Sequence, residues 1–99
     1  MIPQTIKVAG MEYYTSESFD LISQYGLLGQ INYNKGVIEL EHSLSQSRKE
    51  QVYIHEVTHG IFREAGYEEQ DEEMIDRVSM VLYQVLKDNK LYFGEDKTT

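Results

Sequence analysis

Apolar and polar residues alternate along the first half of the chain and recur at helical spacing along the second. Ile6 and Val8 share one face of a strand, and Ala9-Gly10 supplies a turn into a second extended run, Met11 to Tyr14. Thr15 to Gln24 mixes Ser, Glu and Asp with Phe19, Leu21 and Ile22, a pattern that fits a loop or a short helix equally well. Leu27 to Tyr33 is predicted as a strand, Asn34-Lys35-Gly36 as a turn, and Val37 to His42 as the returning partner. On that partner Ile38, Leu40 and His42 point one way, while Val37, Glu39 and Glu41 point the other.

Two helices follow. Ser47-Arg48-Lys49-Glu50 fits a capping box, with Ser47 as N-cap and Glu50 three residues on. That helix is expected to reach about Ala65, where Gly66 supplies the left-handed residue beyond its end. A second helix starts near Asp71, with acids at its positive end, and stops near Asn89. Ile75, Val78, Leu82, Val85 and Leu86 form its apolar stripe. The expectation is one α+β domain over residues 1–89, a small and mainly antiparallel sheet packed on two helices. Residues 90–99 read as a tail in which Leu91, Tyr92 and Phe93 are the apolar anchors.

Composition narrows the function classes. The chain has 99 residues, 9 Lys and Arg against 17 Asp and Glu, and a net charge of −8. Phosphate binding depends on clustered cations, so a nucleic-acid partner is disfavoured, as is an anionic membrane surface. No cysteine is present, so a metal would be held by His and carboxylates. The absence of disulfides suits a cytoplasmic location, and no apolar run is long enough for a signal peptide or a membrane span.

His55-Glu56-Val57-Thr58-His59 is an H-E-x-x-H sequence inside the first predicted helix. Residues four apart on a helix have Cβ atoms roughly 5–6 Å apart, so two imidazoles there can converge on one metal ion. Glu56 projects about 100° around the helix from His55, placed to act on a water beside the metal without ligating it. The motif uses two of only three histidines in the chain. A catalytic zinc site needs a third protein ligand, and helical phase selects Glu72, three residues before Ile75 on the inward face. Glu73 and Arg77 fall outward. Asp76 lies one turn from Glu72, as a candidate partner for an imidazole N–H. His42 reads either as an alternative ligand or as a half-exposed residue at a strand end.

With these residues in place the chain resembles the Glu-liganded zincin peptidases, and within them the ImmA/IrrE-type and short phage-type metallopeptidases. Glu72-Glu73-Met74-Ile75-Asp76-Arg77-Val78 to Leu82 is similar to that family's E-x-x-A-N-x-F-A-x-x-L-L helix, with Glu72 at the zinc-ligand position. The likeness covers mainly residues 27–89. Thr58, Ile75 and Asp76 depart from the family's usual residues. The resemblance implies that the strand of Val37, Ile38, Glu39, Leu40, Glu41 and His42 lines the cleft and can pair with an extended peptide.

The expected activity is therefore zinc-dependent peptide-bond hydrolysis, with His55, His59 and Glu72 holding Zn²⁺ and Glu56 as general base. Its substrate would be a protein or peptide, and the tail, through Tyr92 and Phe93, is a candidate self-inhibitory plug. The competing expectation is a latent or non-catalytic interaction module, stabilised by zinc, whose acidic surface meets a basic partner.

Overall fold

The computed structural model describes residues 2–91 and Gly94. Among them the chain forms β1 (Thr5–Val8), β2 (Met11–Ser18), α1 (Leu21–Tyr25), β3 (Gly29–Asn32), β4 (Val37–Glu41), α2 (Gln46–Glu64) and α3 (Glu72–Asp88). The sheet runs β1-β2-β4-β3. Two of its ladders are antiparallel and β2 pairs with β4 in parallel, so the fold is α+β with a mostly antiparallel sheet.

Local chemistry explains the turns. The β1–β2 hairpin closes through Ala9 (φ 52°) and Gly10 (φ 82°), both left-handed, the conformation a two-residue hairpin needs. Between β3 and β4 the Asn32 side chain accepts the Lys35 N–H at 3.0 Å, and Gly36 takes φ 67°. The ambiguous stretch splits. Residues through Ser18 continue β2, because its last residues pair with β4 from Ile38 to Glu41. The chain then turns into the short α1.

The core lies between the sheet and α2. Val8, Tyr13, Ile38 and Leu40 from the strands meet Val52, Tyr53 and Val57, which share one helical face. Tyr13 also donates a hydrogen bond to Glu64 at 2.7 Å, tying β2 to the end of α2. A Cβ on Gly29 would fall 2.6 Å from Val52 Cγ1 and 3.0 Å from the Glu39 carbonyl, so glycine there is what lets α2 lie against β3. A Cβ on Gly60, in the middle of α2, would lie 3.3 Å from the end of the Ile31 side chain.

The helix ends follow the expected chemistry with one correction. The N-cap of α2 is Ser45, whose hydroxyl accepts the Arg48 N–H at 3.3 Å, and not Ser47. Ser47 thus lies inside α2, and Glu50 is not the third residue after its cap. Glu50 accepts hydrogen bonds from Tyr83 at 2.7 Å and Lys87 at 2.6 Å, on α3. At the other end Gly66 (φ 104°) donates to the Arg63 carbonyl and Tyr67 to that of Phe62, with the Phe62 and Tyr67 rings in contact. Asp71 caps α3 by accepting the Glu73 and Met74 N–H groups.

α3 packs on α2. Its stripe is only partly covered as a result. Ile75 is fully buried, whereas Val78 and Leu86 are exposed. No helix among the described residues is long and apolar enough to cross a membrane. The proposed plug residues Tyr92 and Phe93 lie outside the described residues.

Candidate metal centre

On α2, beside the β3 edge, His55 and His59 stand one turn apart, with ring centroids 4.9 Å from each other. The first turn of α3 brings Glu72 across both. Its Oε1 lies 2.8 Å from His55 Nε2, and its Oε2 lies 3.0 Å from His59 Nε2. The three side chains can each offer one ligand atom, all within 4.8 Å of one another, so the cluster can hold a metal ion. Glu73 lies on the outer face of α3, where it pairs with Arg77 at 2.8 Å.

The second nitrogen of each ring is occupied. His55 Nδ1 lies 3.0 Å from Asp76 Oδ1. His59 Nδ1 lies 2.6 Å from Gln70 Oε1. The Gln70 amide nitrogen faces the carbonyls of His59 and Tyr67, each at 3.3 Å, so its oxygen is the atom turned to the imidazole. With a metal bound at Nε2, each ring would carry its proton on Nδ1, donating to Asp76 and Gln70. The donor set is two imidazole nitrogens and a carboxylate, with no thiolate. That composition and number fit zinc with a position left for water or substrate.

Glu56 is 7% exposed and accepts no hydrogen bond from the described residues. Burial raises its carboxyl above the ordinary range. The His55 and His59 rings pull it back and the Glu72 charge pushes it up again. A carboxyl raised in this way and facing a cleft is suited to taking up a proton. The cleft measures about 450 Å³, and its walls include Gly29, Arg48, Gln51, Glu56, Glu72 and Asp76.

Two residues here went unnoticed in the sequence. Gln70 precedes the α3 cap with no periodicity to mark it, and the reversal at Gly66 alone brings it to His59. Tyr33 receives a hydrogen bond from Gln70 at 3.4 Å. Burial raises its phenol, Gln70 lowers it, and Glu56 and Glu72 both act to raise it.

Of the two readings of His42, the half-exposed one holds: its side chain is 50% exposed, and it takes no part in the cluster. It stacks on Phe19 and meets Glu17 at 2.6 Å, because the chain leaves the sheet after Glu41. The strand expected to line the cleft, Val37 to Glu41, is internal to the sheet. Its hydrogen-bonding edges are taken by β2 and β3, so it has none left for a peptide. Glu41, expected to face away from the core, is nonetheless 3% exposed. It accepts from the Ile22 N–H and from the N–H and hydroxyl of Ser43, holding α1 against β4, and these bonds lower its carboxyl.

The open edge beside the cleft belongs to β3. The Glu41 N–H bonds to the Leu28 carbonyl at 2.9 Å, so alternation along this ladder turns the N–H and C=O groups of Gly29 and Ile31 outward. The chain matches no protein-family model, and neither a curated protein nor a solved structure matches it.

Proposed function

We propose that this protein is a zinc-dependent peptidase in which His55, His59 and Glu72 hold the metal and Glu56 is the general base. The observation that carries this reading is Glu56. A carboxyl that burial raises, and whose oxygens open on the cleft beside the metal-ligand cluster with no protein partner among the described residues, is placed to exchange a proton with a water there. A metal held only for stability has no use for it.

Zinc bound to the three ligands would supply Lewis-acid polarisation of a peptide carbonyl and make a water more acidic. The chain's own residues do the rest. Asp76 and Gln70 hold the imidazoles in the orientation and tautomer that ligation requires. Glu56 takes a proton from the attacking water and passes it to the departing amine. The outward N–H and C=O groups of Gly29 and Ile31 let an extended peptide add to the sheet beside the cleft. This assigns to β3 the role that the resemblance gave to β4.

The test compares wild type with Glu56→Gln, both loaded with zinc, on a broad peptide library. Wild type is expected to cleave. The variant should keep its zinc and its fold but lose activity by about 10²–10⁴-fold. A wild type that holds zinc and cleaves nothing, together with a Glu56→Gln variant unchanged in stability and partner binding, would favour the interaction module instead.

A further inference from the structure

Among the residues lining the cleft there is one cation, Arg48. It stands on α2 seven residues before His55, two turns along the same face. Its guanidinium donates to Gln51 Oε1 at 2.8 Å and, among the described residues, has no carboxylate partner. Of the seven other Lys and Arg among the described residues, four are committed. Lys49 pairs with Glu17, Arg77 with Glu73 and Lys87 with Glu50, while Arg63 lies over the Tyr33 ring. The bond to Gln51 occupies one N–H of the planar fork and leaves most of its five donors unused. In a chain of net charge −8, whose cleft already holds Glu56, Glu72 and Asp76, an uncommitted guanidinium is an exception in the local field. Its geometry suits two-pronged recognition of a carboxylate.

The fold also says which end of a peptide would meet it. Gly29 lies against Val52 and Ile31 against Gly60, so β3 runs in the same direction as α2. A peptide pairing antiparallel to β3, the more stable arrangement, would run the opposite way, with its C-terminal end towards Arg48. Seven helical residues span about 10 Å, the length of about three extended residues.

We propose that Arg48 binds a carboxylate on the C-terminal side of the cleaved bond, selecting peptides with an acidic side chain or a free C-terminus about two to three residues beyond it. This rests on the peptidase reading of the site.

Binding can be measured apart from cleavage. Short fluorescein-labelled peptides are made with Glu, Gln or Lys at that position and an amidated C-terminus, plus a Gln peptide truncated there with a free C-terminus. Anisotropy is read on zinc-loaded Glu56→Gln protein. The Glu peptide, the free-acid peptide or both should bind about tenfold more tightly than the Gln amide, and which of them does so identifies the carboxylate's source. Adding Arg48→Gln should abolish that preference, Arg48→Glu should shift it towards Lys, and Arg77→Gln should leave it intact. Arg48 is exposed, so these variants should keep the fold, which circular dichroism checks.

Equal binding by all the peptides, binding by none, or a preference that survives Arg48→Gln overturns the inference. Cleavage by protein with Glu56 intact judges the peptidase reading separately. Acidic peptides held through Arg48 but never cut would sink that reading alone, and cleavage indifferent to the carboxylate would sink this one alone.

Discussion

At the scale of single residues, neighbouring acids with similar chemistry have different jobs, set by where α3 points them. Glu72 and Glu73 are both exposed, but Glu72 meets the two imidazoles whereas Glu73 is paired with Arg77. Glu72→Gln should weaken zinc binding by orders of magnitude, because it removes a charged ligand, and Glu73→Gln should change it little. Asp76→Ala and Gln70→Ala remove no ligand, but each frees an imidazole to rotate and lose its tautomer. A loss of about 10–100-fold in zinc affinity is expected for each. Competition with a chromogenic chelator measures all four. Equal effects from Glu72→Gln and Glu73→Gln would show that the third ligand has been misassigned.

At the scale of elements, the position of α2 on the sheet depends on Gly29. Any side chain there meets Val52 and the Glu39 carbonyl, and neither can retreat far. Gly29→Ala is expected to destabilise the fold by roughly 1–3 kcal/mol, the usual cost of overpacking. Gly60→Ala should be close to neutral. Its clash is only with the end of the Ile31 side chain, and alanine regains helix propensity worth about 1 kcal/mol. Urea denaturation of the two variants distinguishes them, and a Gly60→Ala loss as large as that of Gly29→Ala would contradict the account. Since Gly29 also lines the cleft, its variant should disturb peptide binding as well.

At the scale of the whole molecule, the site exists only while α2 and α3 stay together, and Glu50 clamps them at the end remote from Gly66. The hydrogen bond from Lys87, then those from Tyr83 and Gln46, bring its carboxyl from 4.5 to about 2. A carboxyl lowered in the fold stabilises it above the unfolded value, and that contribution is lost as pH falls from 4.5 towards about 2. Solvent screening reduces the contribution to of order 1 kcal/mol. Glu50→Gln should therefore lower stability at neutral pH and flatten its decline between about pH 5 and pH 2.5. Denaturant midpoints across that range check it, and a decline as steep as that of wild type would overturn it. Local pattern alone specifies the α+β class, the two long helices, the spacing that puts His55 and His59 on one face, and the phase that turns Glu72 towards them, though not how Thr15 to Gln24 divides between β2 and α1. All of these follow from periodicities of two and 3.6, which are local properties of the chain. Local pattern does not show that β2 and β4 pair in parallel, that β3 rather than β4 is left as the open edge, or that Gln70 reaches His59. Those depend on contacts between residues distant in the chain, which no local period records. The same holds for the α3 stripe. Its pattern marks Ile75 and Val78 alike as apolar, but only the packing of α3 against α2 decides that Ile75 is buried and Val78 is left exposed.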